Sequence, residues 1–291
     1  MILDRLRGVP HVGQADIAAG LQALGLQAGD HVVVHTALSS FGRVEGGPQA
    51  LIAALLEVVG PGGTIMMPTM TWRGCYLRAP DGPIPAGVIA YHPATTPCDA
   101  DMGRVPPALL RWPGVRRSPH PLMSVAAVGR LAATLTDAHP IADPLRPYRT
   151  LAAHGGRVLL LGVDHTRNTT IHAAEFLAEL PHISGPGYAL LRDPAAPGGS
   201  RVLTIPREPD CSLGFELLND RLPRRAQQIG GAIAWLLEGQ ATIDAVLALL
   251  RQDPGALLCD HPACRTCTRG RRLYRSDRAA DPRARTADPH A

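Results

Sequence analysis

One histidine stands near the start of a predicted helix, where it could act as a general base. Any of residues 168–170 can cap the helix in NTTIHAAEFLAE, which places His172 in the first turn. The positive end of the helix dipole disfavours a charged imidazole there, and a general base requires a neutral one. Glu175 and Glu179 follow on nearly the same helix face. The alternative is a histidine that packs or forms a hydrogen bond beneath a loop.

Three predicted strands end in polar segments that could form one ligand site. The segments are HTALSS (35–40), PTMTW (68–72) and DHTRNTTIH (164–172). In parallel α/β sheets, ligands bind beyond the carboxyl ends of the strands, so neighbouring strands would bring the three segments together. The side chains gathered in this way would be His35, Thr36, Ser39, Thr69, Thr71, Asn168 and His172.

Two other segments could bind charged groups. Paired glycines precede a helix N-terminus in SSFGRVEGGPQALIAAL (39–55), which could bind an anion or be an ordinary turn and cap. The segment matches neither a dinucleotide-binding motif nor a phosphate loop. Glu208 and Asp210 are two residues apart in PREPDC, so both carboxylates could face a polycationic ligand. A solvated acidic turn is the alternative.

Three of the six cysteines lie close together in CDHPACRTC, as Cys259, Cys264 and Cys267. The CxxC spacing of the last two is typical of metal ligands, and clustered cysteines in a cytosolic protein favour zinc over disulfides. Cys211 or His261 could supply the fourth ligand. Four protein ligands would make the zinc structural. Free thiols in a loose tail are the alternative.

The composition excludes several classes of function. All 29 basic residues are arginine, and the chain has no lysine. It therefore cannot contain a phosphate-loop lysine or a Ser-Lys dyad, and it cannot form a lysine Schiff base. Residues 265–291 carry eight Arg and three Asp, and the rest of the chain carries 21 Arg and 22 acidic residues. This near-neutral body argues against a nucleic-acid partner. The lack of a long apolar run or an apolar leader predicts a cytoplasmic protein with no membrane partner.

The elements that must position these residues alternate between strand and helix. HVVVH is typical of a buried strand, residues 48–60 predict a helix, and residues 63–72 predict a second strand. Residues 122–129 and 156–164 predict two more strands, and a helix begins near residue 170. This order favours a mostly parallel sheet with both faces covered.

Further elements are predicted towards the C-terminus. GYALLRD and RVLTIPRE predict a hairpin, and IGGAIAWLLEG and TIDAVLALLRQ predict two late helices. From about residue 270 the composition predicts disorder. We therefore expect one domain over residues 1–269, with a zinc-stabilised segment at about 254–269, and an Arg-rich disordered tail at 270–291.

Several segments resemble the aminoglycoside 3-N-acetyltransferase family, in the same order along residues 15–220. They are HVVVHTALSSFGRVEGGPQALIAALLEVVGPGGTIMMPTMTW, RRSPHPLMSVAAVG and GRVLLLGVDHTRNTTIHAAE. Within the family, the sequence is most similar to cysteine-bearing members that act on apramycin-like substrates. The resemblance implies an α/β fold: a single three-layer αβα domain around a mostly parallel central sheet, distinct from the common N-acetyltransferase fold. It also implies acetyl-CoA as the donor.

The resemblance assigns roles to individual residues. His172 would be the catalytic base that deprotonates the acceptor amine, directly or through water, and Glu175 is the candidate to orient it. The HTALSS and PTMT backbones would hold the pantetheine and the thioester oxygen. The cofactor-binding residues are then His35, Thr36, Ala37, Leu38, Ser39, Thr69, Thr71, Arg117 and His120. Glu208 and Asp210 would bind the substrate's ammonium groups. The ligands of a structural Zn²⁺ would be Cys211, Cys259, Cys264 and Cys267.

Two departures from the family pattern concern the substrate. Arg73 follows PTMT where similar members carry an acidic substrate contact, and an arginine there would repel a polycation. Residues 146–148 read RPY where many members have Ser-Pro-Tyr. Acidic residues of the long loop that could compensate are Asp81, Asp99 and Asp101.

The expected function is direct acetyl transfer from acetyl-CoA to the 3-amino group of an aminoglycoside-like polycationic amine. One alternative keeps the fold but acetylates a biosynthetic amine or a phosphonate. A zinc-stabilised module that binds nucleic acid through the Arg-rich tail and a zinc hydrolase are two others. The neutral body and the closed cysteine set argue against these two. A homodimer is a possible assembly.

Overall fold

The structure, a computed structural model, describes residues 8–180, 186–206 and 211–280. The strands are β1 (His11–Val12), β2 (His31–Thr36), β3 (Arg43–Val44), β4 (Thr64–Pro68), β5 (Tyr76–Leu77), β6 (Arg116–Arg117), β7 (Val125–Gly129), β8 (Arg157–Leu161), β9 (Gly187–Arg192), β10 (Ser200–Ile205), β11 (Arg225–Ile229) and β12 (Ala232–Glu238). The α-helices are α1 (Gln14–Leu24), α2 (Gly47–Val59), α3 (Trp72–Cys75), α4 (Val105–Leu109), α5 (Ala132–Thr136), α6 (Arg146–Ala153), α7 (Thr169–Leu177), α8 (Gly239–Gln252) and α9 (Arg265–Ala280).

A seven-stranded sheet forms the centre, in the order β11-β12-β8-β2-β4-β7-β6. The three middle strands, β8, β2 and β4, are parallel. The outer strands pair antiparallel on both sides. The parallel centre therefore confirms that the three strands with polar carboxyl ends are direct neighbours. A smaller sheet, β10-β9-β5, contains the predicted hairpin β9–β10.

Helices cover both faces of the sheet, which confirms the three-layer αβα fold. The apolar side chains of α1, α2 and α4 form one buried layer, with Leu21 and Leu55 fully enclosed. The opposite layer contains α5, α6, α7 and α8, with Ile171 and Val246 fully enclosed. Burying each of these aliphatic side chains stabilises the fold by about 1.5–3 kcal/mol. Helix α7, which carries His172, is thus held firmly against the sheet.

One element prediction is wrong. IGGAIAWLLEG, predicted as a helix, is the turn and second strand of the hairpin β11–β12. Ala232, Ala234 and Leu236 are buried while Ile233 is 58% exposed, which is the period-two pattern of a strand. The two-residue loop between Ile229 and Ala232 is Gly-Gly, a composition that favours a hairpin turn.

The C-terminal end also differs from the prediction. Helix α9 extends over Arg265–Ala280 and crosses residue 270, where the composition predicts that disorder begins. Within the described part of the chain, none of the helices combines the length and apolar character that crossing a membrane requires.

Candidate functional site

Helix α7 places two ionisable side chains, those of His172 and Glu175, side by side. Asn168 caps this helix, since its side-chain oxygen accepts a hydrogen bond from the Thr170 N–H at 3.1 Å. His172 and Glu175 are three residues apart and therefore share one face of the helix. The His172 Nδ1 and the Glu175 Oε2 lie 2.6 Å apart, and both side chains are buried. This pairing leaves the Nε2 atom of His172 for chemistry.

His172 borders a cavity of about 820 Å³ at the carboxyl ends of β2, β4 and β8. A cavity of this size can hold a small-molecule substrate. The lining residues at or after the ends of these three strands are His35, Thr36, Ala37, Leu38, Ser39, Pro68, Met70, Val163, Thr166, Arg167, Asn168 and Thr169. The structure thus brings His172 and the first five predicted cofactor-binding residues to one cavity.

His35 and Thr36 each carry a buried polar atom with no hydrogen-bond partner among the described residues. These atoms are the His35 Nε2 and the Thr36 Oγ1. Burial lowers the pKa of His35 to about 3, so its imidazole is neutral and can donate one hydrogen bond. Because unpaired buried polar groups cost free energy, both atoms are suited to contact a ligand in the cavity.

Thr69, Thr71, Arg117 and His120 do not line this cavity. The Arg117 guanidinium donates to the Thr69 carbonyl at 2.7 Å and to the Thr69 hydroxyl at 3.2 Å. The Thr71 hydroxyl donates to the Pro121 carbonyl. The His120 Nδ1 accepts from the Met123 N–H at 3.1 Å. Thr69, Thr71 and Arg117 therefore form hydrogen bonds just after the end of β4, whereas His120 forms one within its own loop.

His120 stacks against a second histidine, His139. The rings of His120 and His139 are 4.7 Å apart between centroids, and both side chains are buried. Burial, with a smaller effect of His139, lowers the pKa of His120 to about 3. Burial also lowers the pKa of His139 to about 4. Both rings are therefore neutral at neutral pH.

The charged residues of the cavity have mixed sign. Asp99 and Asp101 line it, whereas Asp81 lies elsewhere. Arg73 forms an exposed ion pair with Asp101 at 3.4 Å, and its backbone N–H donates to Asp99. The sequence did not single out Arg104 or Arg167 as further lining residues. Glu208 and Asp210, the predicted substrate contacts, lie outside the described residues.

Four cysteines meet at one point near the C-terminus. The Sγ atoms of Cys211, Cys259, Cys264 and Cys267 all lie within 4.8 Å of one another. Tetrahedral zinc with Zn–S bonds of about 2.3 Å would separate its sulfurs by about 3.8 Å, and the Cys211–Cys259 pair is 3.6 Å apart. His261 is exposed, and its Nδ1 accepts from the Ala263 N–H, so it is not among these four groups.

The ring of Phe215 is a contact that sequence reasoning missed. Its centroid lies 4.7 Å from that of His172, at an interplanar angle of 60°. Phe215 is fully buried in the 3-10 helix Leu213–Leu218, and Ser212 just before it lines the cavity. A lone phenylalanine 43 residues from the histidine gives no sequence signal of this contact.

Comparisons with known proteins agree with the resemblance. The family model for aminoglycoside 3-N-acetyltransferase matches residues 33–251. Aminoglycoside N(3)-acetyltransferase VIII from Streptomyces fradiae is 39% identical over 216 residues, covering 70% of this chain and 73% of the relative. Aminoglycoside N(3)-acetyltransferase IV from Salmonella sp. is 33% identical over 256 residues, covering 86% of this chain and 90% of the relative.

Solved structures show the same architecture. The apoenzyme of aminoglycoside acetyltransferase AAC(3)-IVa has a TM-score of 0.77 at 29% identity, covering 91% of this chain and 99% of that one. A mutant of that enzyme in complex with a gentamicin has a TM-score of 0.75 at 29% identity, covering 90% and 97%. AAC-IIIb with CoASH has a TM-score of 0.69 at 28% identity, covering 83% and 97%. The chain therefore belongs to the aminoglycoside 3-N-acetyltransferase family, and its fold and enzyme class are those of the family.

Proposed function

We propose that this enzyme transfers the acetyl group of acetyl-CoA to the 3-amino group of an aminoglycoside, with His172 as the general base. The observation that carries this proposal is the buried His172–Glu175 hydrogen bond of 2.6 Å at the edge of the cavity. Glu175 fixes the tautomer in which Nδ1 holds the proton, so Nε2 can accept one from the acceptor amine. The CoASH and gentamicin complexes of structural relatives support the two substrate classes.

The reaction needs no covalent enzyme intermediate. The amine nitrogen attacks the thioester carbonyl carbon as its proton passes to His172. Collapse of the tetrahedral intermediate breaks the C–S bond, and the protonated His172 returns its proton to the leaving CoA sulfur. His35 and Thr36 line the cavity, and within the described residues the His35 Nε2 and the Thr36 Oγ1 lack a hydrogen-bond partner, which supports a role in hydrogen bonding to acetyl-CoA. Positioned base catalysis contributes about 10²- to 10⁴-fold to the rate.

Thiol release from acetyl-CoA, measured with a panel of aminoglycosides, tests the proposal. The variant His172→Ala should lose about 10²- to 10⁴-fold in kcat while still binding acetyl-CoA. The matched control is His11→Ala, an exposed histidine of β1, which should keep full activity. Unchanged turnover in His172→Ala would contradict the base role. A burst of thiol without an acceptor would contradict direct transfer.

A second acceptor class has one observation in its favour. Arg73 pairs with Asp101 at the cavity, and Arg104 and Arg167 also line it, so this wall is not purely acidic. An amine that carries an acidic group, such as a biosynthetic amino phosphonate, fits such a mixed surface. Including such amines in the acceptor panel separates the two classes, since kcat/KM identifies the preferred acceptor.

The proposal includes a structural Zn²⁺ held by Cys211, Cys259, Cys264 and Cys267. The donor set fits the ion because four sulfurs converge at distances close to those of a tetrahedral site. Burial raises the pKa of the Cys211 thiol to about 12, a cost that a bound cation offsets by stabilising the thiolate. Four protein ligands leave no open position, so the ion would stabilise the fold and take no part in the reaction.

The remaining expectations concern location and assembly. A cytoplasmic location, no nucleic-acid or membrane partner, and a possible homodimer stay predictions of the sequence. Light scattering after size-exclusion chromatography measures the assembly, and cell fractionation measures the location.

A further inference from the structure

The His172 ring is constrained from two directions. Glu175, on the same helix, holds Nδ1 at 2.6 Å. Phe215, on a separate element, lies against the ring at 4.7 Å between centroids. A single hydrogen bond fixes one atom of the imidazole but lets the ring tilt about that bond. An aromatic neighbour at this distance and angle restricts the tilt through its own attraction and volume.

Phe215 belongs to a segment, residues 211–219, that is fixed where it begins. Cys211 opens the segment and lies 3.6 Å from Cys259 between sulfurs. Gly214 packs so closely on the neighbouring chain that a Cβ there would lie 2.0 Å from the Leu257 carbonyl oxygen. The start of the segment is therefore held to residues 257–259, beside the cysteine cluster.

The segment is fixed at its other end to the turn that precedes α7. The Asn219 side-chain oxygen accepts a hydrogen bond from the His165 N–H at 3.3 Å. The Arg224 guanidinium donates to the Asn219 carbonyl and covers the Trp235 ring at 4.2 Å. The side chain of Asn168, which caps α7, lies 3.1 Å from the His165 Nδ1. The segment therefore spans from the cysteine cluster to the start of the helix that carries His172.

We propose that Phe215 is a positioning residue that fixes the orientation of the His172 ring, and that the 211–219 segment holds Phe215 in place. The kinetic part of this inference rests on the proposed function of His172. Phe215 touches no reacting atom and acts through the imidazole. Its loss lowers kcat by about threefold to tenfold, the range that one aromatic pair supplies. The KM for acetyl-CoA stays unchanged.

The test compares Phe215→Leu with Leu222→Ala, a buried side chain of the same core layer just beyond the segment. The His172 Cε1–H signal is recorded by NMR in substrate-free protein and is assigned by its loss in His172→Ala. In Phe215→Leu the signal should broaden, because the imidazole is no longer restrained, whereas a change of chemical shift alone reports only the lost ring current of Phe215. In Leu222→Ala the signal should stay sharp, although the melting temperature falls in both variants.

Two kinds of result would overturn the proposal. One is a His172 signal that stays as sharp in Phe215→Leu as in the wild type; the other is a broadened signal with unchanged kcat. If Phe215→Leu does not fold, Phe215→Met, which preserves more of the side-chain volume, is measured in its place. Since the NMR arm needs no substrate, it decides the orientation of the ring even if the wild type fails to acetylate an aminoglycoside.

Discussion

The variant Glu175→Gln isolates the charge of the carboxylate that contacts His172, the proposed base. Glutamine preserves the size of the side chain and can still accept a hydrogen bond from the His172 Nδ1, which Glu175 approaches to 2.6 Å. What it loses is the negative charge next to the imidazolium that the proposed reaction forms. Charge centres about 4 Å apart attract by about 4 kcal/mol at an effective dielectric constant of about 20. At about 1.4 kcal/mol per factor of ten, kcat should fall by about 10³-fold.

The assay is thiol release at saturating acetyl-CoA and acceptor, with Glu179→Gln as the matched control. Glu179 lies just beyond the end of α7 and is exposed, so the same chemical change there should leave kcat unaltered. The KM for acetyl-CoA should stay constant in Glu175→Gln, because the proposed role of the carboxylate is in the transition state and not in donor binding. A kcat within tenfold of wild type would refute the electrostatic role of Glu175.

Three further outcomes are expected. His120 and His139 are buried with folded-state pKa values of about 3 and 4, below the ordinary 6.5, so the unfolded chain binds more protons in acid. The free energy of unfolding that they contribute is fully present above pH 6.5, and the total should fall by about 2–3 kcal/mol between pH 6 and pH 5, as measured by urea unfolding. A free energy of unfolding that does not change over this range would contradict the prediction. Chelation, or Cys267→Ser, should remove one metal ion per chain by elemental analysis and lower the melting temperature; loss of all activity in still-folded protein would contradict a structural ion. Gly162→Ala should destabilise the fold by about 1–3 kcal/mol, since φ is +65° there and a Cβ would lie 1.7 Å from the Ser40 Oγ. An unchanged melting temperature of Gly162→Ala in calorimetry would contradict this prediction and show that the backbone relaxes to accept the Cβ.

The convergence of the site could be predicted from sequence because its cause is local. Each of β2, β4 and β8 is an apolar run that ends abruptly in polar residues. Runs of that kind favour parallel strands, and parallel strands end at the same edge of a sheet. The first-turn position of His172 and its spacing to Glu175 follow from helix geometry alone, and the structure places the two side chains in contact.

What could not be predicted depends on pairings between distant residues. Thr69 and Thr71 follow β4 as expected. Their hydroxyls, however, donate hydrogen bonds to the carbonyls of Ser124 and Pro121, which are more than 45 residues away in the chain. The helix predicted around Trp235 is a strand because it pairs with β8 on one side and β11 on the other. Apolar residues in a short run fit either state, and tertiary pairing decided between them.

The His172–Glu175 pair lies within one turn of a single helix, and this has a consequence for how such an enzyme can diversify. The distance between the two groups is set by the helix itself, so changes in how the layers pack carry both side chains together. Asp101 and Arg104 also line the cavity, but they lie in a short 3-10 turn and the bend after it, outside α7, and have no part in that distance. Mutations there could therefore redirect the scaffold to a different amine while the proposed His172–Glu175 proton-transfer pair stays intact. In a lineage exposed to changing antibiotics, the range of substrates and the chemical competence of the enzyme are free to evolve separately.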